Sequence, residues 1–112
     1  KRREATFKNL PSYLRNLISF LKGMDGECKI FLFGSVAKRD YALISDIDIL
    51  IKTKLKPKEV IAKLRNAGFD EPFEFHIVNE KEFKVYKLYI PELKEISDQR
   101  LIHLLFNFRK GC

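Results

Sequence analysis

The stretch FLFGSVAKRDYALISDIDILI, Phe31 to Ile51, decides the reading of this chain. It holds Gly34-Ser35, ten further residues, and then Asp46-Ile47-Asp48. The Asp-x-Asp lies in an apolar run that predicts a strand over Ser45 to Lys52. Side chains alternate across a strand, so Asp46 and Asp48 share one face while Ile47, Ile49 and Ile51 share the other. Two carboxylates roughly 7 Å apart along one strand face repel each other. A fold that keeps such a pair beside its core calls for a cation, and a hard divalent ion with oxygen ligands, Mg²⁺ above all, suits that task.

Upstream of this stretch, Pro11 to Lys22 carries Leu14, Leu17, Ile18 and Leu21 as one apolar stripe. That spacing predicts a helix, with Pro11 in its first turn and Gly23 ending it. Cys28 to Phe33 is nearly continuous in apolar residues, as expected of a buried strand. Val36 to Asp40 reads as one helical turn with Ser35 at its N-cap. Downstream, Pro57 to Asn66 predicts a helix stopped by Gly68. Phe73 to Val78 alternates as a third strand, with Glu74 and His76 on one face and Phe73, Phe75 and Ile77 on the other. Asn79 is placed to cap a helix over Glu80 to Leu88. Leu93 to Ile96 reads as a short fourth strand, and Ser97 as the cap of a last helix carrying Leu101, Leu104, Leu105 and Phe108. The sum is an α/β or α+β fold: a small mixed sheet flanked by helices.

Length and composition set the remaining bounds. At 112 residues the chain reads as a single domain, 1–112, and 46% hydrophobic residues suffice for a core without disulfides. Lys and Arg number 22 against 15 Asp and Glu, a net charge of +7 that suits an anionic partner. Cys28 and Cys112 are unclustered, which argues against zinc and fits a reducing cytoplasm. No apolar run reaches the ~18 residues of a membrane span. Charge alone leaves direct RNA binding open, but no RNA-binding aromatic signature accompanies it.

Taken singly, the motifs are weak: a Gly-Ser pair is usually a turn, and an Asp-x-Asp is usually a solvated strand face. At one fixed offset, the two together arise in roughly one random chain per thousand of this length. Gly34 lets backbone approach a ligand closely, and the N–H groups after Ser35 suit phosphate oxygens. Asp46 and Asp48 would hold the cation against those phosphates, and Glu74 could project from the same sheet face. For His76 on the Glu74 face, ordinary hydrogen bonding at a sheet edge is the commoner role, ahead of orienting Glu74 or shuttling a proton.

The pattern GS-x(10)-D-x-D, here Gly34-Ser35 to Asp46-Ile47-Asp48, resembles the signature of the polymerase-β-like nucleotidyltransferases. In size the chain is similar to their minimal branch, the MNT proteins. The strand FEFHIV resembles the one that supplies that family's third carboxylate. The resemblance covers Leu10 to about Tyr89. It implies a palm-like core in which Gly34 and Ser35 bind nucleotide phosphates. Asp46 and Asp48 would bind Mg²⁺, with Mn²⁺ as the other candidate, and Glu74 would complete the metal site or act as base. Many relatives read G-S-R-A-R-G, so Val36 and Arg39 are departures, whereas Lys38 keeps a cation in the nucleotide-binding loop. The resemblance further implies transfer of a nucleotidyl group, AMP from ATP, to a hydroxyl. The acceptor it implies is a tyrosine of a HEPN-type toxin whose antitoxin this chain would be. A chain of this size leaves little room for a template-binding domain, and it is compatible with a homo-oligomer. The rival reading is a non-catalytic binding module that neutralises a partner by occlusion.

Overall fold

The computed structural model describes residues 9–34, 46–90, 92–98, 100 and 102. Among these residues, seven elements follow in order: α1 (Leu10–Met24), β1 (Lys29–Phe33), β2 (Ile47–Lys52), α2 (Pro57–Asn66), β3 (Phe73–Val78), α3 (Glu80–Tyr89) and β4 (Lys94–Glu95). The strands form one mixed sheet in the order β3-β2-β1-β4. β1 runs antiparallel to both β2 and β4, and β2 runs parallel to β3. The parallel pair needs a crossover, which α2 provides. The mixed sheet expected from the sequence is therefore the sheet observed.

Alternation sorts the strand residues onto two faces. Ile30 and Leu32 of β1 and Ile47, Ile49 and Ile51 of β2 are buried on one face, with Phe73, Phe75 and Ile77 of β3 packed beside them. Against that face lie Leu10, Leu14, Leu17, Ile18 and Leu21 of α1 and Val60 and Leu64 of α2. Burying each Ile or Leu contributes about 1.5–3 kcal/mol, so this layer holds the register of β2 firmly. The opposite face carries a smaller cluster of Phe31, Leu50, Val78 and Phe83. Phe83 of α3 packs on Phe31 with the rings tilted by 31°, at 4.9 Å between ring centres.

Local signals explain the element ends. Pro57 opens α2, and Gly68, at φ +97°, follows its end. There the Phe69 N–H donates to the Leu64 carbonyl at 2.9 Å, closing the turn as a left-handed glycine allows. A reciprocal capping box starts α3: the Glu82 N–H donates to Asn79 Oδ1, and the Asn79 N–H donates to Glu82 Oε1.

Three expectations need correction. Gly23 does not end α1, which runs on through Met24 to an extended Asp25. Asp25 is held by tertiary bonds instead: Thr53 Oγ1 donates to its Oδ2 at 2.6 Å and the Glu27 N–H to its Oδ1 at 3.0 Å. β2 begins at Ile47, so Asp46 sits one position outside the strand rather than within it. Ser97 binds across the sheet, its hydroxyl accepting from the Ile30 N–H at 2.8 Å, and Asp98 accepts from the Arg100 N–H at 2.9 Å in the role expected of Ser97. The turn from Val36 to Asp40, Ser45, and Leu101, Leu104, Leu105 and Phe108 lie outside the described residues.

Candidate active site

The site lies on the sheet face that α3 covers only in part. Register places its residues in rows across the strands. Phe33, Asp48 and Glu74 form one row, and Phe31, Leu50 and His76 form the next. Neighbouring strands are about 4.8 Å apart, closer than two same-face residues along one strand at roughly 7 Å. Pairing Asp48 with Glu74 across β2 and β3 therefore brings two carboxylates nearer than an Asp-x-Asp can on its own.

Ligand-capable atoms of Asp48, Glu74 and His76 all lie within 4.8 Å of one another. Asp48 and His76 are half-buried and Glu74 is exposed. His76 Nε2 is 3.6 Å from Asp48 Oδ1, an electrostatic contact too long for a hydrogen bond. That nitrogen is shielded from solvent and has no hydrogen-bond partner among the described residues. Its ring packs edge-on to Phe33 at 5.1 Å and to Tyr86 at 6.2 Å, which sets its orientation. Burial pushes the Asp48 carboxyl above its ordinary pKa, and the Glu74 charge adds to this while His76 opposes it. A site that raises the cost of its own carboxylate is one that a cation would relieve.

Gly34 closes the site from the end of β1. It adopts φ +78°, and a Cβ on it would stand 2.6 Å from Asp48 Oδ2. Glycine is required here twice over, for the backbone conformation and for the approach of the carboxylate.

The structure thus brings together Gly34, Asp48 and Glu74 of the residues expected from the sequence. Asp46, exposed and just ahead of β2, stands outside the three-residue cluster. Ser35 and Lys38 lie outside the described residues. For His76 the sequence favours ordinary hydrogen bonding at a sheet edge. It does lie on the edge strand, but Nε2 faces the carboxylates without the hydrogen bond expected there. Its signal was the alternation in FEFHIV, which put it on the Glu74 face.

Residues 14–111 match the family model of the nucleotidyltransferase domain. The chain belongs to this family. It is also similar to the crystal structure of a presumed nucleotidyltransferase, at 31% identity and a TM-score of 0.63, over 75% of this chain and 97% of the other. A comparison with curated proteins finds no match. The superfamily resemblance, the fold and the enzyme class drawn from Gly34-Ser35 and Asp-x-Asp therefore stand. This nucleotidyltransferase presents, in Asp48, Glu74 and His76, donors suited to a divalent cation. Among its described residues, no helix is long and apolar enough to cross a membrane.

Proposed function

We propose that this nucleotidyltransferase moves AMP from ATP to an acceptor hydroxyl on a partner protein. The acceptor implied by the minimal branch is a tyrosine of a HEPN-type toxin. The observation that carries the reading is the convergence of Asp48 and Glu74 beside Gly34, the residue that follows β1.

The donor set fits a divalent cation, Mg²⁺ or Mn²⁺, because two carboxylates supply oxygen ligands and one of them is destabilised without it. Asp48 and Glu74 would hold it, with Asp46 as the third carboxylate. When bound, such an ion supplies positive charge to the triphosphate and to the charge that develops at the phosphorus.

The protein's own residues do the rest. Buried Ile47 and Ile49 flank Asp48 and fix its backbone. The loop that starts at Gly34 and Ser35, with Lys38, would bind the phosphates through backbone N–H groups and one cation. The net charge of +7 favours the approach of an anionic nucleotide. Glu74, the exposed carboxylate, completes the cation site or accepts the acceptor's proton. The acceptor oxygen forms its bond to the α-phosphorus as the bond to pyrophosphate breaks. Positioning and electrostatics supply most of the acceleration in such transfers.

The test uses α-labelled ATP, Mg²⁺ or Mn²⁺, and the product of the adjacent gene. Label is expected on the partner, and Asp48→Asn or Glu74→Gln should cut its rate by about 100-fold or more. No transfer to any partner, together with no nucleotide binding, refutes the reading.

A further inference from the structure

We propose that His76 is a ligand of the cation site and tunes it toward nitrogen-accepting cations such as Mn²⁺ and Co²⁺ over Mg²⁺. This rests on the reading of Asp48 and Glu74 as cation ligands and goes beyond it by assigning a nitrogen donor and a preference.

Three observations carry it. First, His76 Nε2 lies with the two carboxylates in one group of potential ligands, all within 4.8 Å. Ligands of one cation with bonds of about 2.1 Å stand roughly 3.0–4.2 Å apart, and the 3.6 Å from Nε2 to Asp48 Oδ1 falls inside that interval. Second, Nε2 is buried and has no hydrogen-bond partner among the described residues, although buried polar atoms are nearly always satisfied. A nitrogen facing two carboxylates needs either a shared proton or a shared cation. Third, the ring is held between Phe33 and Tyr86. A ligand already oriented loses little freedom on binding.

The chemistry of the donor fixes the preference. Mg²⁺ is small and hard, keeps much of its water and favours oxygen. Imidazole nitrogen binds later first-row ions better, and affinity rises from Mn²⁺ through Co²⁺. Two carboxylates alone would leave Mg²⁺ and Mn²⁺ close in affinity. Adding the nitrogen separates them.

The experiment loads the full chain with Mn²⁺, without nucleotide, and records pulsed electron paramagnetic resonance. Nitrogen modulation from a bound imidazole is expected in the wild type. The chain has two histidines, so the modulation should survive His103→Gln and vanish in His76→Gln. In parallel, the ratio of Mn²⁺ to Mg²⁺ affinity, measured by titration, should fall about tenfold or more in His76→Gln, which offers an oxygen in place of the nitrogen. Circular dichroism checks that the variant folds, and the wild-type spectrum needs no variant at all. Absence of nitrogen modulation in wild type, its survival in His76→Gln, or an unchanged affinity ratio overturns the proposal. If Mn²⁺ still binds and Asp48→Asn removes it, the cation reading stands while this inference falls. If Mn²⁺ does not bind the wild type, both fall.

Discussion

Replacing Gly34 with alanine separates the two reasons for glycine at the end of β1. The added Cβ would stand 2.6 Å from Asp48 Oδ2, whereas ordinary contacts begin at 3.4 Å, so the oxygen must retreat by about 0.8 Å. Ligand positions at a metal centre tolerate roughly 0.2 Å, and a misplacement near 1 Å can cost about 100-fold in rate. Alanine at φ +78° also strains the backbone, at about 1–2 kcal/mol. Gly68 supplies a matched control: its φ is +97°, and nothing lies within 4 Å of a Cβ added there. Gly34→Ala and Gly68→Ala should therefore lose similar stability in urea denaturation. Only Gly34→Ala should also lose Mn²⁺ affinity and about 100-fold of label transfer. If Gly34→Ala keeps wild-type cation affinity and rate at the same stability cost as Gly68→Ala, close approach does not place the Asp48 carboxylate, and the site geometry is wrong.

Asp48→Asn should stabilise the metal-free protein at neutral pH while abolishing cation binding. The Asp48 pKa is raised in the fold, so its ionised form opposes folding, and the wild type should gain stability as pH falls through that raised value; thermal melts across pH read both effects. Thr53→Val removes the hydroxyl that donates to Asp25 and should cost about 1.5 kcal/mol. Asp25 is shifted downward mainly by that bond, so its share of stability is present above the unfolded pKa and is lost as pH falls through the folded one. That acid sensitivity should flatten in Thr53→Val. Asn79→Ala breaks the capping box of α3 and should cost about 1 kcal/mol by urea denaturation, with cation affinity unchanged. Saturating Mn²⁺ at about 100 times its Kd should raise stability by roughly 2.7 kcal/mol, and a chelator should reverse the gain in a thermal melt.

Local chemistry made much of the fold legible. The alternation of FEFHIV marks β3 at its observed limits, and Pro57 with Gly68 brackets α2 because ring constraint and left-handed backbone act within a few residues. Gly23 misled for the converse reason. Its backbone is free to end a helix, but the bond from Thr53 to Asp25 holds the chain where the helix has run on through Gly23 and Met24. Ser97 has a good N-cap side chain, yet its hydroxyl serves the Ile30 N–H 67 positions away. Both departures come from contacts between residues distant in the chain, which propensity does not encode.

The same distinction bears on the Asp-x-Asp itself. Read along one strand, Asp46 and Asp48 form a pair because alternation aligns them. In the fold, the strand starts at Ile47, where its N–H donates to the Pro72 carbonyl at 2.8 Å, and Asp46 stands outside the ladder. The carboxylate that register sets beside Asp48 is Glu74, one strand away and 26 positions later. A cation site built across strands depends on the parallel pairing of β2 with β3 and hence on the isoleucines buried beneath it. A shift of one residue in that pairing would turn the Glu74 side chain to the other face relative to Asp48. The apolar half of IDILI thus does functional work: by fixing the register, Ile47, Ile49 and Ile51 hold Asp48 opposite Glu74 and within reach of His76.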